Sequence, residues 1–489
     1  MAASMKRNVV IIAFVSRASV LLLQILLNNL VPDHDADAFH YKPSQQLSIG
    51  DIIVEFLFGG LGKWDGAHFL TIAETGYISE RQYAFFPFLP FLMKTVANTI
   101  LLPLRYFLNM HSCLLLAAIV INIISFIIAA CGIYSLGECV LNDGKLAFNS
   151  ALLFCINPAT IFFSSVYTES LFAALTFYGM LFIEQEWYIT SAVTFAFSTL
   201  TRSNGLVSCG FILYKLLKHN IRIIMRKDSK YSTFHSVLFC CTNGITILVS
   251  ILFIIFPFLA YQLYGYVHLC TDNENIFGYM MDRISSKALH IRENASPWCH
   301  DRVPLLYSYI QNHYWDVGFL KYYQLKKIPN FLLALPMIII CTSAIWDYIL
   351  KNWSSVNYLG LIPTKKLSTA TVGYLSEGVF VYVAHLTALL IFGITCINIE
   401  VVTRLIASCC PVFYWYVASV MCWADQNKTR YSRRKSLKGS MAFNGNYRFI
   451  FNLHHHFNIK DPKTKLILFY FLSYCLLGIL LHCNFLPWT

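Results

Sequence analysis

Charge is what this chain has least of. Asp, Glu, Lys and Arg make up 13% of its 489 residues, about half the quarter that is usual in a soluble globular protein. So small a fraction cannot wet the surface of a 56.0 kDa chain. It excludes a compact soluble enzyme and a disordered scaffold. Although there are 16 Cys, a C-x-x-C pair, a regular cysteine framework and zinc-ligand spacing are all missing, which argues against a secreted disulfide module. Cys131, Cys155, Cys209, Cys341 and Cys475 fall in apolar runs and read as small buried hydrophobes. Cys270 and Cys299 share a long polar segment in which a disulfide fits. His454, His455 and His456 are adjacent, so they lack the spacing of a metalloprotease helix. Internal repeats, heptads and low-complexity tails are absent too.

What the chain has instead is 57% hydrophobic and 16% aromatic residues with a mean hydropathy of +0.56. That composition faces lipid, so a polytopic α-helical membrane protein is expected. The net charge of +12 does not point to nucleic acid, because the basic residues gather between apolar stretches. One group is Lys215, Lys218, Arg222, Arg226, Lys227 and Lys230; the other is Lys428, Arg430, Arg433, Arg434, Lys435 and Lys438. Both fit cytosolic loops beside anionic lipid heads.

Nine spans are expected, at 9–31, 113–136, 148–165, 189–214, 237–264, 331–350, 372–397, 405–423 and 466–483. With the amino end in the cytosol, both basic groups are cytosolic, and residues 32–108 and 265–330 lie on the opposite side. Acids outnumber Lys and Arg over 32–84, which agrees. Residues 85–108 are divided by Pro87, Pro90, Lys94, Pro103 and Arg105, and read as helices lying in the interface. Residues 166–184 read as a broken or re-entrant segment. Arg17 interrupts the first span and is expected to face the protein interior.

Three polar clusters can carry chemistry. In Lys63-Trp64-Asp65-Gly66-Ala67-His68-Phe69, Asp65 is a carboxylate that can take a proton from an attacking sugar hydroxyl. Trp64 and Tyr77 can stack on a sugar face. The same residues equally fit an interfacial Trp anchor followed by a turn-forming Asp-Gly. The second cluster is Asn157-Pro158-Ala159 with Tyr167-Thr168-Glu169-Ser170. The third is Thr201-Arg202-Ser203-Asn204-Gly205, in which Arg202 can meet a phosphate or Glu169, and Asn204-Gly205 can be a plain turn or helix break. A transporter and an enzyme with a lipid-linked substrate both remain open.

In order and spacing these stretches, together with Gln82-Tyr83-Ala84-Phe85-Phe86-Pro87 and Asn484-Phe485-Leu486-Pro487-Trp488, resemble the phosphatidylinositol-glycan class V family, the GPI mannosyltransferase 2 family. The resemblance covers essentially the whole chain, so residues 1–489 are expected to form one membrane glycosyltransferase domain. It implies the glycosyltransferase C fold, an endoplasmic-reticulum membrane location, a cytosolic N-terminus and a lumenal active site. The implied donor is dolichyl-phosphate-mannose, and the acceptor is a GPI precursor bearing its first mannose, extended by α-1,6 linkage. Asp65 matches the acidic base proposed for related enzymes. Arg202 becomes a candidate for the donor phosphate, and His68, Glu169 and Asn204 become candidates for positioning substrate. No cofactor and no essential metal are expected. Family members can act with a small membrane partner, so a partner subunit is a candidate here. The rivals are another lipid-linked-sugar transferase and, from a different class, a transporter or assembly protein. A transporter should show two pseudo-symmetric halves, and the large loops here are irregularly placed.

Overall fold

The computed structural model describes residues 2–36, 38–39, 47–225, 233–272, 276, 278, 280, 291–292, 294–362, 372–432 and 457–486. Arg226, Lys227 and Lys230 of one basic group lie outside them, as do Arg433, Arg434, Lys435, Lys438 and the histidines 454–456. The described chain is helical, with an isolated bridge between Thr271 and Ile291.

Long apolar runs become helices because lipid offers the backbone no hydrogen-bond partner and a helix satisfies its own. In chain order these are α1 (Ala2–Leu30), α2 (Ile49–Phe58), α3 (Asp65–Thr75), α4 (Phe88–Asn98), α5 (Met110–Leu141) and α6 (Gly144–Cys155). Then come α7 (Glu169–Glu184), α8 (Tyr188–Thr201), α9 (Cys209–Met225), α10 (Thr233–Cys270) and α11 (Leu306–Trp315). The last are α12 (Ile328–Lys351), α13 (Phe380–Thr395), α14 (Val402–Cys409), α15 (Pro411–Ser432) and α16 (Pro462–Cys483). Capping side chains fix several starts: Asn109 accepts from the Ser112 amide, Asp143 from those of Lys145 and Leu146, and Asp461 from that of Thr464. Among the described residues, six helices are long and apolar enough to cross a membrane: α1, α5, α10, α12, α13 and α16, some of them with a flanking turn. The α14–α15 pair passes the same test as one broken span, bent by 81°. Pro411 explains the break, since it has no N–H and its ring crowds the preceding turn.

Several expected spans come out differently. Residues 148–165 are not one span, because α6 stops at Cys155. There Asn157 donates to the Phe154 carbonyl and accepts from the Ala159 amide, holding the chain in a break around Pro158. Residues 166–184, expected to be a broken or re-entrant segment, contain the continuous and largely buried α7. The expected span 189–214 is two helices, α8 and α9, parted by a 3₁₀ turn at Ser203–Ser208. In 85–108, α4 has 11 residues, about half the 20 needed to cross.

The helix ends sort into two faces. Tyr83 bonds His268 (2.7 Å), the Tyr261 hydroxyl donates to the carbonyls of Tyr83 and Phe85, and Glu80 accepts from Trp298 (2.7 Å) and Tyr314 (3.0 Å). These bonds dock the end of α10 and the segment after it onto the segment before α4. The Cys270–Cys299 disulfide is buried beside them, with a Cα–Cα distance of 5.6 Å. The same end holds the C-terminus of α16, because the His34 amide donates to the Asn484 carbonyl. At the far end Glu184 pairs with Lys215 (2.6 Å) and accepts from the Tyr382 hydroxyl.

Arg17 is fully buried. Its guanidinium donates to the Thr160 carbonyl and hydroxyl and to the Ser164 hydroxyl, and lies 3.8 Å from the Phe126 ring centre. The costly cation thus ties α1 to the irregular chain after α6.

Candidate functional site

The first cluster forms a sharp turn into α3. Trp64 has φ 58° and ψ −128°, a left-handed conformation that costs a non-glycine residue about 1–3 kcal/mol. Contacts on both sides hold it there. Lys63 donates to Asn28 (3.0 Å), to Asp33 (2.5 Å) and to the Cys483 carbonyl (2.6 Å). The Trp64 indole donates to the His482 carbonyl (3.2 Å). The free carbonyls that end α16 therefore grip the turn.

Asp65 and Glu169 are the first residues of α3 and α7, where a helix N-terminus favours an anion. The Asp65 amide donates to the Tyr167 hydroxyl (3.1 Å). Burial, with Asp65 nearby, holds that phenol well above its ordinary range, so it keeps its proton. Asn122 pins the loop from beneath through the carbonyls of Ser165 (2.5 Å) and Tyr167 (3.2 Å).

Two guanidinium groups face the two carboxylates. Arg202 donates to Glu169 and to the Thr168 hydroxyl (3.2 Å). Arg404, on α14, lies 3.3 Å from Asp65 and 3.9 Å from Glu169 through the same Nη1. Its Nε is buried with no partner. The side chain of Glu169 is wholly buried, whereas that of Asp65 is 30% exposed. Only Asp65 can be reached by a bound molecule.

Asp65 opens into a cleft of about 490 Å³, within the range of small-molecule sites, lined also by Arg202, Asn204, Tyr307, Trp315 and Arg404. Ser203 donates to Tyr307 (2.9 Å), joining the α8–α9 break to α11. Glu169 lies directly beneath through its pair with Arg202, one of the two partners the sequence allows that arginine.

Besides Glu169, three candidates do not line this cleft. Trp64 packs on Phe485 with ring centres 5.6 Å apart. His68 is stacked between Phe39 (4.5 Å) and Phe85 (4.8 Å), and burial pushes its imidazole below the ordinary value. Tyr77 stacks on Tyr83 (4.4 Å) and donates to the Phe85 carbonyl (2.7 Å). These rings pack within the loop, away from the cleft.

Arg404 escapes a reading of the sequence because it stands one residue before an apolar run, where a cation is ordinary. The signal that could have found it is Pro411, which forecasts a broken span and so a buried polar lining. Asp33-His34-Asp35 also has the D-x-D spacing that can hold a divalent cation. Neither acid lines the cleft, and Asp33 is paired with Lys63. Among the described residues, no group of three His, Cys, Asp or Glu side chains gathers as a metal site.

Residues 6–489 match the family described as Mannosyltransferase (PIG-V). The chain is 39% identical to GPI alpha-1,6-mannosyltransferase 2 of Homo sapiens over 99% of both chains. It is 37% identical to GPI alpha-1,6-mannosyltransferase 2 of Mus musculus over 97% of this chain and 96% of that one. It is 33% identical to GPI mannosyltransferase 2 of Drosophila pseudoobscura pseudoobscura over 91% of this chain and 99% of that one. Among solved structures it is similar to the archaeal oligosaccharyltransferase AglB from Archaeoglobus fulgidus in complex with an inhibitory peptide and a dolichol-phosphate. That similarity has a TM-score of 0.45 at 10% identity and covers 97% of this chain and 56% of that one.

Proposed function

The chain belongs to the PIG-V mannosyltransferase family, and from that premise we propose that it adds the second mannose of a GPI precursor in α-1,6 linkage. The donor is dolichyl-phosphate-mannose, and the acceptor carries one mannose. The glycosyltransferase C fold belongs to the same reading. The observation that carries the mechanism is the carboxylate of Asp65, exposed in a cleft that it shares with two arginines.

Asp65 accepts the proton of the acceptor 6-hydroxyl as that oxygen attacks the anomeric carbon. The bond from this carbon to the phosphate oxygen breaks, and its electron pair leaves with dolichyl phosphate. One in-line displacement turns a β-linked donor into an α-linked product. Phosphate is a good leaving group, so no general acid is assigned, and fixed cations meet the growing charge without a metal. Tyr167 holds the Asp65 backbone and the Arg202–Glu169 pair braces the floor. Asn204 and Tyr307 supply polar contacts on the wall.

The site end is assigned to the lumen of the endoplasmic reticulum. Support comes from the disulfide there, which an oxidising compartment permits, and from Lys215, Lys218 and Arg222 on α9, which runs toward the far end. The test uses microsomes lacking their own activity, supplied with this chain, a mono-mannosylated GPI acceptor and either dolichyl-phosphate-mannose or a nucleotide-linked mannose. Transfer from the lipid donor alone, into a product cleaved by an α-1,6-specific mannosidase, is expected. Transfer from the nucleotide sugar, or another linkage, overturns the reading.

A further inference from the structure

We propose that Arg404 receives the donor's phosphate, and that its seat on Asp65 is a latch which the phosphate opens. The inference rests on Asp65 acting as the base in mannose transfer. It begins from an imbalance between the two arginines. Arg202 is bonded to Glu169 and to Thr168, and that carboxylate is wholly buried, so the pair is a fixed part of the floor. Arg404 reaches Asp65 at 3.3 Å and Glu169 at 3.9 Å with one nitrogen, while its Nε–H has no partner in a buried setting.

An unpartnered buried N–H is expensive, and a phosphate oxygen is a partner of the right charge and shape for a guanidinium fork. The cleft gives access, because Arg404 lines it and keeps 16% of its side chain exposed. Phe162 and Tyr167 lie 5.2 and 5.6 Å from the guanidinium carbon and give the group an aromatic floor to pivot on.

The latch follows from charge. A carboxylate oxygen held by a guanidinium is occupied, and an incoming hydroxyl must compete with that cation for it. With the cleft empty, Asp65, Glu169, Arg202 and Arg404 sum to zero. The donor brings one negative charge on its phosphodiester. When Arg404 turns to that phosphate, the Asp65 oxygen is freed for the acceptor hydroxyl with the donor already seated. During transfer the proton goes to Asp65 and the phosphate gains the electron pair of the broken bond, so negative charge grows where Arg404 now sits. The order has a purpose: an acceptor arriving first meets a base still tied down.

Binding of dolichyl phosphate to the purified full-length protein in nanodiscs tests this without turnover. Arg404→Gln should weaken binding about tenfold or more, and Arg404→Lys should weaken it less, since charge remains but the fork is lost. Asp65→Asn should tighten binding about threefold, because the phosphate no longer competes with the carboxylate for Arg404. A wild-type affinity in Arg404→Gln, or a loss confined to Arg202→Gln, overturns the phosphate assignment. An Asp65→Asn protein that binds no more tightly than wild type overturns the latch. Where Arg404→Gln does not assemble, the Arg404→Lys and Asp65→Asn affinities decide. The base reading fails separately, on retained mannose transfer by Asp65→Asn.

Discussion

Asp65 and Trp64 are neighbours with different tasks, and substitution separates them. Asp65→Asn keeps the shape of the turn and removes the proposed proton acceptor. It should assemble normally and lose mannose transfer by about 10²-fold or more, measured in membranes at matched protein level. Glu74→Gln is the control: Glu74 lies on the same helix but does not line the cleft, and its loss should be much milder. Trp64 holds a backbone conformation that suits glycine. Trp64→Gly and Trp64→Ala both lose the indole bond to His482, but only the alanine keeps the strain. Trp64→Gly should therefore be the more active and more heat-stable of the two, by roughly 1 kcal/mol. Equal loss in both would mean that the indole, and not the backbone, is what the turn needs.

Among the elements, the broken ones position the site. The α8–α9 break depends on Gly205, where a Cβ would sit 2.6 Å from the Thr199 amide nitrogen and 2.7 Å from the Ser198 carbonyl carbon. Backbone cannot yield as a side chain can, so Gly205→Ala should displace Arg202 and Asn204 and cut transfer about tenfold or more. Arg17 does the equivalent work for the chain after α6. Arg17→Gln cannot cover the Thr160 and Ser164 acceptors and should cost roughly 2–4 kcal/mol in thermal unfolding, with activity falling alongside. Sequence reading reaches Arg17, because a cation within an apolar run must face inward. It reaches Arg202 for the same reason, Asp65 as a carboxylate able to take a hydroxyl proton, and Asn204 through the family resemblance; all three line the cleft. It offers a break at Asn204-Gly205 only as an alternative and otherwise draws single spans, because apolar composition runs straight across residues 148–165 and 189–214 while hydrogen bonding interrupts the helix. Nor does it separate aromatics that stack on each other, such as Tyr77 on Tyr83, from aromatics free to meet a sugar, since both have the same composition.

For the molecule as a whole, helicity and the pairing of the two long loops at one end are legible from hydropathy and charge, whereas the cleft is assembled from α3, the loop before α7, the α8–α9 break, α11 and α14 by contacts that no local pattern announces. Orientation is tested by glycosylation mapping. Asn294, the first residue of the sequon Asn294-Ala295-Ser296, is exposed on the disulfide-bonded segment, so it should be accessible to modification, with Pro297 lowering occupancy. Asn352, just past α12 at the opposite end, should stay unmodified; glycan on Asn352 would reverse the scheme. Non-reducing mass spectrometry should find Cys270 joined to Cys299, and free thiols at both in fresh membranes would refute the pairing. One contact also sets a clock on biogenesis. Lys63 is held by the carbonyl of Cys483, 420 positions later. At about 5–20 residues per second of synthesis, the turn that aims Asp65 waits roughly 20–80 s for its last support. Until then the nascent chain carries Asp65 without a fixed direction. A product that stops short of α16 should therefore be inserted yet inert, even with every cleft residue present.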